Sequence, residues 1–222
     1  KLQRITYEET PASIIEQIAL REAVHPLQSL TDLRTRLGPG RRCFAFFHPA
    51  LPNKPLVFVH VALLDRIPKS MSDLQQYASA ESEQKASCAA FYSITNNEAG
   101  LVGVDLGNHL IKSVVQVLQD EFSTLQTFCT LSPIPKFRNW LEGKLVRYHK
   151  GLVNDGPFTQ QELYQLECIF ASKTYLLDLL ETTKSPSWHR DRPHLVDKLE
   201  PLLMKLAAYY LTIESHRGRL LC

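Results

Sequence analysis

The sequence predicts a mixed α/β fold in which a mostly antiparallel sheet is flanked by helices and followed by a helical extension. Three observations lead to this prediction. Short runs rich in β-branched and aromatic residues lie before residue 132, one amphipathic helix pattern separates the last two of them, and the chain after Phe137 is predicted to be mainly helical. A chain of 222 residues can bury a large core without disulfide or metal support. We therefore expect one domain over residues 1–222, with a sheet core over about 1–145 and a helical extension over about 146–222.

Two helices are predicted before the main strands. The first starts at Thr10 and Pro11, where a capping residue precedes a proline, and apolar residues then recur at helical spacing. The second follows Ser29 and carries three leucines at helical spacing before Gly38.

Four strands are predicted after these helices. Residues 43–47 and 56–64 are β-rich, and the prolines between them cannot donate to a ladder, so the pair predicts an antiparallel hairpin. The second run is hydrophobic almost throughout, which indicates burial on both faces. A short helix is expected near 70–78 and a polar loop over 79–84. The third strand is predicted over 86–95 and the fourth over 125–131.

The third and fourth strands are separated by a predicted amphipathic helix over residues 106–118. A strand, a glycine-rich turn, a helix and a strand in this order are typical of an α/β crossover. Ligands of such sheets lie at the carboxyl ends of strands, beside the following helix N-terminus. Candidate functional residues are therefore expected over 95–108 and 131–137.

The last predicted helix covers about 195–213. Its apolar residues share one face and predict a structural role: Leu195, Leu199, Leu202, Leu203, Leu206 and Tyr210. Breaks between helices are expected near 151–157 and 184–187.

Charge and composition exclude several classes of protein. The 25 Lys and Arg residues against 23 Asp and Glu give a formal charge of only +2, which offers no electrostatic footprint for nucleic acid or an anionic membrane. No run approaches the roughly 18 apolar residues of a membrane span. The five cysteines form no Cys-x-x-Cys pair, and no two histidines are four residues apart, so no metal site is predicted.

Three glycines follow the third strand and lead into the following helix: Gly100, Gly103 and Gly107. Such a loop lets the backbone approach a ligand, and the N–H groups and dipole of the helix start favour an anion such as a pyrophosphate. It is not a Walker loop, because no Gly-Lys-Ser/Thr ends it. The alternative is a turn without a ligand. Asp105 fits both interpretations, since an acidic residue there is also a plain N-cap.

Ser132 ends the fourth predicted strand, and Pro133 and Pro135 restrict the chain beyond it. This arrangement would hold the hydroxyl at a defined point, as a catalytic serine requires. The alternative is a turn or helix cap, which is the commoner role of a serine in such a place. The sequence contains no Gly-x-Ser-x-Gly elbow, so a hydrolase triad is not predicted.

The motifs at these positions resemble the malonyl-CoA decarboxylase family. The segments that carry the resemblance follow the family order over essentially the whole chain: Ala-Val-His-Pro (23–26), Arg-Arg-Cys (41–43), Val-x-Val-Ala-Leu (59–63), Phe-Tyr-Ser-Ile (91–94), Gly-Leu-x-Gly-Val-x-Leu-Gly (100–107), Leu-Ile-Lys (110–112), Leu-Ser-Pro-Ile-Pro (131–135) and His-Arg-Gly (216–218). One departure is Lys136, which stands where the family usually has glycine.

The resemblance implies an acyl-CoA N-acyltransferase-like fold and makes residues 1–222 a catalytic, acyl-CoA-binding domain. It implies that the following residues contact the substrate or its CoA group: Val102, Gly103, Val104, Asp105, Leu106, Gly107, Asn108, Ile111 and Ser132. It also implies that Ser132 is the catalytic serine and works with a histidine from a Phe-His segment. We expect that histidine beyond Cys222, and we expect the family's leading helical domain to lie outside this chain as well.

The implied reaction is decarboxylation of malonyl-CoA to acetyl-CoA and CO₂. No metal or redox cofactor is implied, because the CoA thioester is itself the substrate. The expected protein is a homo-oligomer without nucleic-acid partners or a membrane span. It would be located in the mitochondrial matrix, peroxisome or cytoplasm of a eukaryote, or in the cytoplasm of a bacterium.

Two alternatives remain open from the sequence. The first is a CoA-dependent N-acyltransferase, which the implied fold alone would suggest. The second is an inactive CoA-binding fragment, since the partner histidine is expected outside this chain.

Overall fold

The computed structural model describes residues 1–96, 98–101, 103–152, 156–185, 187–216 and 219–220. The chain divides into two units, Lys1–Ser132 and Pro133–Cys222. The first contains the sheet and the second is almost entirely helical. The predicted fold class, a mostly antiparallel sheet flanked by helices with helices at the C-terminal end, is confirmed.

A five-stranded sheet forms the first unit. Its strands follow the same order in the sheet as in the chain: β1 (Leu2–Ile5), β2 (Arg41–Phe46), β3 (Val57–Leu64), β4 (Cys88–Asn96) and β5 (Thr127–Thr130). Strands β1 to β4 are antiparallel, and β5 joins β4 in parallel. The sequence did not predict β1. Only Ile5 of this edge strand is buried, so it lacks the alternation that marks a half-buried strand.

Five α-helices belong to the first unit: α1 (Ala12–Arg21), α2 (Leu30–Leu37), α3 (Met71–Tyr77), α4 (Ala80–Gln84) and α5 (Leu106–Glu121). The prediction of a loop over 79–84 is wrong. Ser79 accepts a hydrogen bond from the Ser82 backbone N–H and its own N–H donates to the Ser82 hydroxyl, a capping box that starts α4. Helix α1 starts one residue later than expected, because Pro11 occupies the N-cap position.

Helices cover both faces of the sheet. On one face, α5 packs through Leu110, Val114 and Leu118 against β3 and β4. On the other face, α1 and α2 pack with β2, and Leu74 of α3 joins a neighbouring cluster. Every residue of β3 is therefore buried, as its continuous hydrophobicity predicted.

The second unit contains five α-helices and a short strand pair: α6 (Phe137–His149), α7 (Gln160–Phe170), α8 (Tyr175–Lys184), α9 (Trp188–Asp191), α10 (Pro193–Thr212), β6 (Ser215–His216) and β7 (Arg219–Leu220). The strand pair and the break after α7 were not predicted. Ala171 ends α7 with a φ of 50°. The helices share a core that includes Leu145, Leu166 and Leu179. Within the described residues, none of the helices has both the length and the apolar character needed to cross a bilayer.

Lys136 precedes α6 in the left-handed region, with a φ of 63°. This conformation costs an L-residue roughly 1–2 kcal/mol and costs glycine almost nothing. The backbone at this position is therefore one that a glycine adopts most easily.

Candidate active site

Strands β4 and β5 separate at the carboxyl end of β5. Their pairing runs from Cys88 opposite Thr127 to Phe91 opposite Thr130. The Leu131 N–H then donates to the Phe91 carbonyl oxygen over 2.8 Å. Strand β4 continues to Asn96 and, over these last residues, pairs with β3 alone in the part of the chain that is described. The edge of β4 that faced β5 thus has no paired strand beyond Phe91 among the described residues, and this part of the sheet is called the opening below.

A β-bulge lies at this point of separation. His60 of β3 pairs with Ser93 of β4, whereas Val61 pairs with Phe91, so Tyr92 is an extra residue without an opposite partner. A bulge bends its strand and increases the local twist, and bulges are common beside active sites. Tyr92 therefore bends β4 where β5 ends.

The predicted glycine loop follows β4. A 3₁₀ turn (Ala99–Leu101) leads to Gly103, whose φ of 94° is one that other residues rarely adopt. The Val104 N–H donates to the Leu101 carbonyl oxygen over 3.0 Å. Val102, which the resemblance also assigns to this loop, lies outside the described residues.

Asp105 is the N-cap of α5. Its carboxylate accepts hydrogen bonds from the Asn108 N–H over 3.3 Å and from the Asn108 side-chain amide over 3.1 Å. The plain capping role considered for this residue is therefore present. A methyl group at Gly107 would lie 3.6 Å from Ile94, an ordinary contact, so packing does not require glycine there.

The other predicted contact residues differ in exposure. Gly103, Val104 and Asn108 are exposed, whereas Leu106 and Ile111 are partly buried and pack against the core under α5. The exposed residues are accessible to a ligand from solvent. Leu106 and Ile111 support the helix that carries them.

Ser132 is exposed and lies two residues beyond the end of β5. It directly follows Leu131, whose N–H makes the final bond to β4. Because β4 and β5 are parallel, Ser132 and the glycine loop leave the sheet at the same edge. The fold thus places the two segments that the sequence singled out at the same edge of the sheet.

Two cations lie beside the start of the glycine loop. Glu98 forms two ion pairs through its Oε1 atom. The Nζ of Lys54 lies 2.8 Å from this oxygen, and Nη1 of Arg21 lies 3.3 Å from it. The hydrogen bond from Lys54, with a further contribution from Arg21, lowers the pKa of the Glu98 carboxyl below its usual value. Arg21, Lys54 and Glu98 together carry one net positive charge at the start of the loop, and the Asp105 carboxylate lies at its end.

A buried polar group lies behind β4. The Ser93 hydroxyl is 2.7 Å from both carboxyl oxygens of Glu22, and His60 Nε2 is 3.5 Å from Glu22 Oε2. Burial lowers the pKa of His60 below its ordinary value, although the charge of Glu22 opposes this shift. This group could not be predicted from the sequence, because Glu22 and Ser93 are 71 residues apart and belong to no shared motif.

Comparison with known proteins identifies the family. Residues 1–221 match the family described as the malonyl-CoA decarboxylase C-terminal domain. Mitochondrial malonyl-CoA decarboxylase of Anser anser anser is 41% identical over 221 residues, which cover 98% of this chain and 43% of that protein. The Mus musculus enzyme is 37% identical and is covered to 44%. The chain therefore spans less than half the length of these curated relatives.

Solved structures agree with these sequence matches. The crystal structure of malonyl-CoA decarboxylase from Rhodopseudomonas palustris is similar with a TM-score of 0.74 and 35% identity, over 98% of this chain and 46% of that one. The structure from Agrobacterium vitis has a TM-score of 0.72 and 37% identity, over 99% and 50%. By its matching family, its relatives and its fold, this chain belongs to the malonyl-CoA decarboxylase C-terminal domain family.

Proposed function

We propose that this chain is the CoA-binding, serine-bearing part of an enzyme that decarboxylates malonyl-CoA to acetyl-CoA and CO₂. The observation that carries the proposal is that Ser132 and the glycine loop both follow the carboxyl ends of two parallel neighbouring strands, at one edge of the sheet. Membership of the family and the names of its relatives support the choice of substrate.

In the proposed complex, the CoA pyrophosphate lies on the loop and helix start formed by residues 103–108. Backbone N–H groups and the helix dipole favour an anion there, and the cations Arg21 and Lys54 add to the attraction. The pantetheine arm runs from the loop into the opening between β4 and β5. The thioester then lies beside Ser132.

The reaction breaks the bond between the carboxylate carbon and the α-carbon of the malonyl group. The electron pair of that bond moves into the thioester, whose oxygen becomes an enolate oxygen. Donors that point at this oxygen lower the barrier. The Ser132 hydroxyl can donate to it, and an acid must then protonate the α-carbon.

We propose that the acid or its partner is a histidine beyond Cys222, as the family resemblance implies. The thioester itself delocalises the electron pair, so the proposed reaction needs no further cofactor. The mitochondrial names of the goose and mouse relatives support a mitochondrial matrix location for a eukaryotic protein, and we infer a homo-oligomer from the family resemblance.

The proposal is tested by the substitution Ser132→Ala in the protein that carries this chain. Loss of one oxyanion donor should lower kcat for CO₂ release by roughly 10²–10³-fold. The affinity for CoA should change little, because the phosphate contacts are remote from the serine. Ser87→Ala is a matched control, since this exposed hydroxyl lies before β4 and bonds only the Asp65 carbonyl oxygen among the described residues.

Two results would contradict the proposal. Near-normal CO₂ release by Ser132→Ala would show that the serine only caps a turn. Release of free CoA that requires an amine acceptor and produces no CO₂ would identify an acyltransferase instead.

A further inference from the structure

We propose that Glu22 is a positioning residue for the reacting end of the substrate, acting through Ser93 on the bulged part of β4. The inference rests on the proposed function and adds a residue to it. The Glu22 cluster is defined here as Glu22, His25, His60, Tyr92 and Ser93.

The carboxyl group of Glu22 joins two distant parts of the first unit. Glu22 directly follows α1. Its Oε1 accepts hydrogen bonds from the backbone N–H of Val24 over 2.9 Å and from that of His25 over 3.0 Å. The hydroxyl of Ser93 lies 2.7 Å from both carboxyl oxygens. Glu22 is only 5% exposed, so these protein donors replace water around the carboxyl group. The connection after α1 and strand β4 are thereby held in a fixed relation.

The strand position that Glu22 holds is the one where the sheet opens. Ser93 follows the bulge residue Tyr92, and the last bond between β4 and β5 is made one residue before the bulge, at Phe91. The Tyr92 ring is itself packed on two neighbours. Its centroid is 5.8 Å from that of His60, and the guanidinium carbon of Arg41 lies 5.4 Å from it. A change at Ser93 would therefore alter β4 beside the opening.

The Glu22 cluster also contains polar atoms that a purely structural cluster would pair. Among the described residues, His25 Nε2 and His60 Nδ1 are buried without a hydrogen-bond partner, and His60 Nε2 has only Glu22 Oε2 near it, at 3.5 Å. Each such atom has lost its hydrogen bonds to water without gaining a protein partner, which destabilises the fold. Buried unpaired groups are rare in folded proteins, and departures from full pairing concentrate at functional sites. These atoms belong to the same buried cluster as the Glu22–Ser93 contact.

Catalysis is more sensitive than binding to this part of β4. The thioester must lie within a few tenths of an ångström of its productive position between β4 and Ser132, and a displacement of about 1 Å can cost about 10²-fold in rate. CoA affinity depends mainly on the glycine loop. A loosened bulge should therefore lower kcat and leave binding nearly unchanged.

The test is Glu22→Gln in the protein that carries this chain. The amide keeps the size of the side chain but replaces one acceptor oxygen with a donor, so it cannot accept all the bonds that converge on Glu22. We expect kcat for CO₂ release to fall by about 10–100-fold. The KM for malonyl-CoA and the Kd for CoA should stay within about 3-fold of their original values.

Ser93→Ala removes the other side of the same contact and should lower kcat to a similar extent, whereas Ser93→Thr keeps the hydroxyl and should restore most of it. The double variant Glu22→Gln with Ser93→Ala should be little slower than either single variant, because both remove one interaction. Glu121→Gln is the matched control. This carboxyl group pairs with Arg42 and Arg4 away from the opening, so its loss should affect stability and leave kcat unchanged.

A folded Glu22→Gln variant with normal kcat overturns the inference while leaving the proposed function intact, provided that the parent protein releases CO₂. An equal loss of CoA affinity and kcat, with a matching loss of stability, also overturns it, since that pattern identifies a structural residue. If Glu22→Gln does not fold, the same measurements of kcat, CoA affinity and stability on Ser93→Ala test the inference. A parent protein that releases no CO₂ overturns both the proposed function and this inference.

Discussion

Leu131 donates its backbone N–H to the carbonyl oxygen of Phe91 over 2.8 Å, and this bond is the last between β5 and β4 in the described chain. On one side of it the two strands pair regularly. On the other side β4 passes through the Tyr92 bulge toward the glycine loop, and the chain after β5 reaches Ser132. The end of one strand pairing thus defines the start of the candidate active site.

Gly103→Val should weaken CoA binding about 10-fold. The φ of Gly103 is 94°, and a β-branched residue in this conformation is strained by roughly 1–2 kcal/mol. The loop then either keeps this strain or moves away from the conformation that binds the ligand, and both weaken binding. A Cβ at this position meets no atom within 4 Å, so the fold should be retained. Calorimetric titration with CoA measures the effect. Gly143→Ala, in helix α6 with equally open surroundings, is the control, and unchanged affinity in a folded Gly103→Val variant would contradict the prediction.

Arg42→Met should lower the free energy of unfolding at pH 7 by about 1–3 kcal/mol. The Arg42 side chain is 4% exposed and lies 2.7 Å from a carboxyl oxygen of both Glu83 and Glu121. The loss should be smaller than the 3–5 kcal/mol of a fully buried pair, because the two carboxyl groups retain some access to water. Urea unfolding measures this loss. Equal stability of the original protein and the variant would show that the Arg42 ion pairs do not stabilise the fold.

The same pair of proteins should differ less in acid. Burial acts to raise the pKa of Glu83, but the hydrogen bonds from Arg42 and from the Gly40 N–H outweigh it and lower that pKa. A carboxyl group with a lowered pKa stabilises the fold when the pH is above 4.5, the ordinary pKa of a glutamate. This stabilisation is lost as the pH falls through the pKa of the folded state. The stability difference between the two proteins should therefore shrink as the pH falls below about 4.5. A difference that stays constant down to pH 3 would count against this ion pair.

His60→Gln should make stability less dependent on pH between 7 and 5. Burial lowers the pKa of His60 below its ordinary value of 6.5, so the unfolded chain binds a proton below that pH more readily than the folded chain. Stability of the original protein should therefore decline as the pH falls below 6.5, and the variant should lose that component. Urea unfolding at several pH values measures it. His149→Gln, at an exposed position, should keep the original profile, and identical profiles for all three proteins would exclude His60 as a source.

Leu206→Ala should lower the free energy of unfolding of the helical unit by about 2–5 kcal/mol, because this side chain is fully buried and its removal leaves a cavity. Leu203 lies on the same predicted apolar face but is only partly buried, so Leu203→Ala should lower the free energy of unfolding by less. Met204→Ala is the control, since this side chain is 65% exposed and should change stability by no more than about 0.5 kcal/mol. Losses below 0.5 kcal/mol at both leucines would show that this apolar face is exposed to solvent.

The sequence alone predicted those elements whose signal is local. Helix α5 and strand β3 are examples, because hydrophobic spacing within each segment reports which of its faces are buried. It also singled out Ser132 and the loop around Gly103 as candidates, since both follow predicted strands. The edge strand β1 was not predicted, because its four residues are mostly exposed and show no such periodicity.

Only the tertiary structure decided how these segments meet. The bulge at Tyr92 depends on how β4 aligns with β3, and the opening beyond Phe91 depends on where β5 stops. The contact between Glu22 and Ser93 joins residues 71 positions apart, and neither residue carries a local signal of the other. Local propensity acts over a few residues, whereas strand register and buried polar contacts are selected by the packing of the whole unit.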